Sequence, residues 1–240
     1  MNSYLNPEAM HPAIPGDGDL TALIAGGRHR GMVRGQRPRT RLHPVDARSL
    51  VGLTGLPTIV ATGPFDDPAH AQQLAAAFIA VRRQCEVQLV LLGIGEQRTA
   101  VRRRASAQGV GSSVHVVTDS CDYRWSDVLA AADLVVLGSS SGTAMLLDVL
   151  AAGRPVVAPA NPETVQLVVP AIVGLVYQTG NVSGMAQALL RLLTAPVLRR
   201  VMGGRARQVA RRHHLEKQCA QTVRGNRYEY APRPTSDMDR

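Results

Sequence analysis

Aromatic side chains are scarce in this chain of 240 residues, with 2 Phe, 1 Trp and 5 Tyr. The few present do not interleave with basic residues, as a base-stacking platform for single-stranded nucleic acid requires, and no zinc-ligand or RNA-binding motif occurs. Cysteine is equally sparse. Cys85, Cys121 and Cys219 are widely spaced, form no Cys-x-x-Cys and accompany no His/Cys ligand set, which reads as free thiols in a cytoplasmic protein. His213-His214 reads as an exposed helix face rather than a metal site. Apolar runs long enough to cross a bilayer are absent, and the polar start lacks the apolar core of a signal peptide. Lysine is nearly missing too. Lys217 stands alone, so the positive charge is carried by arginine, a skew that coding bias produces as easily as phosphate recognition.

What is present begins with a net charge of +9, which poses the question of nucleic acid. From Val51 to Leu190 there are 8 basic and 10 acidic residues, while the remaining 19 basic and 8 acidic residues lie toward the two ends. The excess therefore belongs to the ends and not to the apolar middle. A basic-tailed nucleic-acid binder is kept as a second alternative, and peripheral membrane contact through the basic tail as an accompanying expectation.

Residues 1–49 are rich in Gly, Pro and Arg and show no sustained periodicity, as a linker does. Residues 50–203 alternate short, uniformly apolar runs with amphipathic ones. Strands are expected at Pro57–Gly63, Val87–Gly93, Val114–Val117, Leu134–Leu137, Pro155–Ala158 and Gly174–Tyr177. Helices are expected at Pro68–Arg83, where Asp67 caps and Leu74, Phe78 and Val81 share one side, then to Gln108, after Ser126 as a cap, at Ala144–Ala152, from Pro162 and at Val182–Leu193. This order specifies an α/β fold, a doubly wound, Rossmann-like parallel sheet. Residues 204–240 complete a basic helix that starts at Pro196 and ends near Cys219, then a polar, disordered tail from Arg224.

The stretch Ala131 to Pro159 organises the rest. Asp133 precedes an apolar strand, Gly138 to Thr143 form a loop of small and hydroxyl residues, and an apolar helix ends at Gly153 as its C-cap. Such a loop leaves backbone N–H groups free and adds the hydroxyls of Ser139, Ser140, Ser141 and Thr143, a fit for phosphate. An ordinary N-cap with a close-packed turn accounts for the same residues. Asp148 tips the balance, because a carboxylate within an apolar helix is costly unless paired. A ribose or sugar diol offers its two oxygens two donors, and phosphate loop plus diol acid is the chemistry of a nucleotide site.

The run Leu146-Leu147-Asp148-Val149-Leu150-Ala151-Ala152-Gly153-Arg154-Pro155-Val156-Val157-Ala158 resembles the donor-site signature of GT-B glycosyltransferases, most closely family 4. Gly93-Ile94-Gly95, Pro162-Glu163 and Gly174-Leu175-Val176 fall in the family's order, and the similarity covers roughly residues 56–212. Ala13 to Leu20 resembles the segment leading into that family's C-terminal domain, which implies a chain that begins at the interdomain linker. The resemblance implies the C-terminal, donor-binding half of a GT-B hexosyltransferase, taking a GDP- or UDP-linked sugar without a metal cofactor. An acceptor-binding domain or chain would be supplied separately. Asp148 stands where the family's second acid binds ribose, and Gly63, Gly93, Gly95, Ser139, Ser140, Ser141, Gly142, Thr143 and Glu163 complete the implied substrate site.

Other positions depart from the family. Pro64 and Ala69 stand at or near its Arg and Lys, which hold the diphosphate, and Ser140 replaces its first acid. Charge-assisted bonds contribute about 1.5–3 kcal/mol each, so two missing cations cost roughly two to four decades of affinity. An inactive homologue serving as a nucleotide- or partner-binding module is therefore the first alternative. His70, beside Ala69, could supply a single hydrogen bond.

Overall fold

Six apolar runs become six parallel strands, the four central ones buried on both faces and the two edge strands in part. The computed structural model describes residues 43–117, 125–168 and 172–229, with side chains as far as residue 215. In chain order the elements are α1 (Pro44–Leu50), β1 (Thr58–Thr62), α2 (Pro68–Arg82), β2 (Gln88–Leu92), α3 (Gln97–Ala107), a short 3₁₀ turn (Gly111–Ser113) and β3 (Val114–Val117). They continue with α4 (Trp125–Ala131), β4 (Leu134–Leu137), α5 (Thr143–Ala152), β5 (Val156–Pro159), α6 (Pro162–Val168), β6 (Gly174–Tyr177), α7 (Val182–Thr194) and α8 (Pro196–Glu229). The sheet order is β3-β2-β1-β4-β5-β6, parallel throughout, with Val60 paired to Val90 on one side and Val135 on the other. The expected α/β doubly wound sheet is the fold observed.

Alternation along each strand supplies the layers. Ile59, Ala61, Leu89, Leu91, Leu134 and Val136 face one core with Leu74, Phe78, Met185 and Leu189. Val60, Val90, Val135 and Leu137 face the other with Val128, Val149, Leu150 and Ala206. Both faces are thus apolar, as a parallel sheet covered by helices on both sides demands. Asp67 caps α2 by accepting from the Ala69 amide at 2.9 Å, and Gly153 closes α5 with φ +68°.

Three local expectations need correction. The linker reading of residues 1–49 misses α1, which starts on Pro44 and is too short to show a period. It is anchored by packing on α4 and by Arg48, whose guanidinium reaches Asp133 at 2.6 Å and the Ala131 carbonyl at 3.1 Å. Ser126 lies inside α4 rather than capping it, because the helix already starts at Trp125. The basic helix does not stop near Cys219: α8 continues through Glu229, so residues 224–229 are helical where disorder was expected. Residues 230–240, the linker-like Ala13–Leu20 and Cys121 lie outside the described residues.

α8 packs along α5, and the approach is tightest where Gly203 meets Gly153. A Cβ added at Gly203 would collide with the Gly153 carbonyl oxygen. Among the described residues no helix is long and apolar enough to cross a membrane.

Candidate functional site

The chain winds from β1 outward to β3, then returns past β1 to β4 and winds outward the other way. Loops leaving β1 and β4 therefore diverge to opposite faces and open a crevice, the usual ligand position in open α/β sheets. Three groups of residues stand at or beside it.

The first group is a clasp between the loops that leave β1 and β2. The Gly63 amide donates to the Leu92 carbonyl at 2.8 Å, and the Phe65 amide to the Ile94 carbonyl at 2.8 Å. Gly93 has φ +130°, and a Cβ there would lie 3.0 Å from the Gly63 nitrogen. Gly95 has φ +123°, and its added Cβ would lie 2.5 Å from the Phe65 carbonyl group. These glycines permit backbone against backbone. Since the Gly63 amide is spent on Leu92, what it can contribute to a ligand is space rather than a donor.

Arg98, in the first turn of α3, fastens the clasp from beneath. Its guanidinium donates to the Gly93 carbonyl at 2.6 Å and to the Gly95 and Val117 carbonyls, both at 3.2 Å. Sequence reasoning missed it. The signal available was an arginine just after Gly-x-Gly, but it disappears among the arginines of the same helix.

The second group is the hydroxyl loop, and each hydroxyl has its own surroundings. Ser139 Oγ donates to Asp67 Oδ2 at 2.9 Å, and Thr143 Oγ1 to Glu163 Oε2 at 3.2 Å. Ser140 is exposed, whereas Ser141 Oγ is buried with no hydrogen-bond partner among the described residues. Gly142 caps α5 without a side-chain bond, which leaves the first-turn amides open to an anion. The loop and Glu163 are thus brought together as expected, with Asp67 as an unforeseen member. Hydrogen bonding from Ser139 holds the Asp67 carboxyl below the usual carboxylate range. His70, one turn into α2, is buried, and that burial lowers its pKa, so it adds no positive charge near pH 7.

The third group is a groove of about 660 Å³ between α5 and α8. Ala144, Leu147, Asp148 and Ala151 line one wall and Arg207, Arg211, His214 and Leu215 the other. Asp148 is half-buried, burial raises its pKa, and it has no hydrogen bond or ion pair among the described residues. Gly63, Gly93, Gly95, the hydroxyl loop and Glu163 do not line this groove. Helix geometry is the reason: five residues from Thr143 to Asp148 give about 7.5 Å of rise and roughly 140° of turn. Ala144, next to Thr143, is where the groove starts beside the loop.

A family model described as glycosyl transferases group 1 matches residues 56–195. Among solved structures, sucrose-phosphate synthase from Thermosynechococcus elongatus superposes with TM-score 0.63 at 23% identity, over 77% of this chain and 49% of that one. The C-terminal domain of a group 1 glycosyl transferase from Francisella tularensis gives TM-score 0.63 at 15% identity, covering 70% of this chain and 91% of that domain. The Anabaena protein HepE, in complex with UDP and glucose, gives 0.60 at 17% identity, over 75% of this chain and 51% of that one. No curated protein sequence matches. The chain spans about half the length of the whole synthase, where it matches 49%. Fold, order of elements and family match agree: this chain belongs to the group 1 glycosyl transferases, with the architecture of a C-terminal GT-B domain.

Proposed function

We propose that this chain is the donor half of a family 4-like hexosyltransferase, binding a GDP- or UDP-linked sugar in the cytoplasm. Asp148 accepts from the ribose diol, while the amides and hydroxyls of Ser139 to Thr143 meet the diphosphate. Gly63, Gly93, Gly95 and Glu163 complete the surroundings of the diphosphate. The observation that carries this reading is Asp148 itself: a half-buried carboxylate without a partner among the described residues, in a groove that starts beside the hydroxyl loop. A carboxylate kept there at a desolvation cost is suited to a ligand that brings donors. Sugar transfer requires an acceptor-binding domain, and the reading invokes no metal.

The test is calorimetric titration of the full chain with uridine, guanosine, UDP and GDP. A charge-assisted hydrogen bond contributes about 1.5–3 kcal/mol, so Asp148→Ala is expected to weaken nucleoside and diphosphate alike by tenfold to a hundredfold. Stability should move the other way. The folded-state pKa of Asp148 is raised, so its ionisation opposes folding above that pKa, and the cost disappears as pH falls below the unfolded value. Removing the carboxyl lifts that cost at pH 7, and the thermal midpoint of Asp148→Ala is expected not to fall. A lower midpoint with unchanged affinities would make Asp148 a structural residue and end this reading.

A second reading, an inactive homologue kept as a nucleotide- or partner-binding module, is favoured by the chemistry of the β1 loop. Pro64, Ala69 and a neutral His70 offer no cation there. Turnover measured with an acceptor domain added in trans separates the two.

A further inference from the structure

Asp67 does more than cap a helix. It belongs to the loop leaving β1, and its hydrogen-bond partner Ser139 belongs to the loop leaving β4, 72 residues on. β1 and β4 are neighbours at the turning point of the sheet, so the 2.9 Å bond between these side chains crosses the crevice like a strap. The other carboxylate oxygen takes the Ala69 amide at 2.9 Å. One backbone donor at a helix start and one loop hydroxyl are what a phosphate would use, and here a resident carboxylate uses them. In the same loop Ser141 is 8% exposed, its Oγ has no partner among the described residues, and a Cβ added at Gly138 would lie 3.2 Å from it. Arg98, beside the glycine clasp, spends its guanidinium on the Gly93, Gly95 and Val117 carbonyls.

We infer that Asp67 is a built-in anion that discriminates against a ligand diphosphate. It holds the Ser139 hydroxyl, adds negative charge at the mouth of the loop, and must give way before a phosphate can settle there. The inference rests on the reading that residues 139–143 face the diphosphate. It assigns Asp67 a role in specificity: the site tolerates the nucleoside part of a donor and penalises the charged part.

Asp67→Asn removes the charge and keeps a good N-cap, so the variant is expected to fold. The full chain and this variant are titrated with UDP and GDP, and with uridine and guanosine, up to millimolar ligand. The expected result is at least tenfold tighter binding of both diphosphates, with the nucleosides changed by less than twofold. Adding Ser139→Ala to Asp67→Asn should return part of that gain, because the freed hydroxyl is then missing. Unchanged or weaker diphosphate binding, an equal shift for nucleosides, or no measurable binding by the variant would each overturn the inference and leave the bond a structural tie. The parent reading fails separately: Asp148→Ala would leave all four affinities unchanged, whatever Asp67→Asn does.

Discussion

Asp133→Ala is expected to cost about 3 kcal/mol of folding stability, the lower end for breaking a buried ion pair, because its groups keep some solvent. Asp133 opens β4, and its side chain is a junction. Oδ2 accepts from Arg48 at 2.6 Å and from the Thr58 amide at 2.8 Å, and Arg199 stands 3.7 Å from Oδ1. The three side chains are 18–19% exposed. Alanine takes the carboxylate from two guanidinium groups and the acceptor from one strand amide together, so the loss exceeds that of a surface pair. For a domain of this size about 3 kcal/mol corresponds to roughly 6–12 °C in thermal midpoint. Asp133→Asn keeps an acceptor for Thr58 and should lose about half as much. Calorimetry deciding for a shift under about 2 °C would mean the junction carries little.

Phe78→Ala should cost as much or more, about 3–5 kcal/mol, by leaving a cavity. The chain has 2 phenylalanines, and Phe78 is fully buried in the core that holds Ile59, Leu89 and Leu91, on a helix whose other buried positions include Ala71, Ala75 and Ala77. Neighbouring alanines have no reach with which to fill the hole, so the site collapses poorly. Phe78→Leu keeps most of the volume and is expected to lose less than about 1.5 kcal/mol. Urea unfolding with a shifted midpoint and an unchanged slope is the signature sought.

Such core positions were legible because burial on both sheet faces writes itself into short sequence windows. Ile59 to Ala61, Leu89 to Leu92 and Leu134 to Leu137 are apolar without interruption, and Gly153 announces a helix end by its backbone requirement. The lengths of α1 and α8 were not legible. α1 is just under two turns held by Arg48, and α8 runs on to Glu229. The candidate site was legible only loop by loop. Asp67 read as a helix cap because that half of its bonding is local, whereas Ser139 approaches it only after β4 has been placed beside β1. Arg98 was hidden because its three acceptors are main-chain carbonyls, which any residue supplies. The separation of Asp148 from the loop is a matter of helix phase. Its eight-residue spacing from Ser140 resembles a family pattern without saying which wall of the helix it meets.

Gly203 meets Gly153 at the end of α5 away from Ala144, so the closest approach of α8 to α5 is made by two residues without side chains. Along the helix axis Arg207 lies about 6 Å from that contact and His214 about 16 Å. The groove itself runs from there toward Ala144 and the hydroxyl loop, and side chains of α5 and α8 line it. Bulk introduced at position 203 would have to part the two helices, because its first atom already meets the Gly153 carbonyl oxygen.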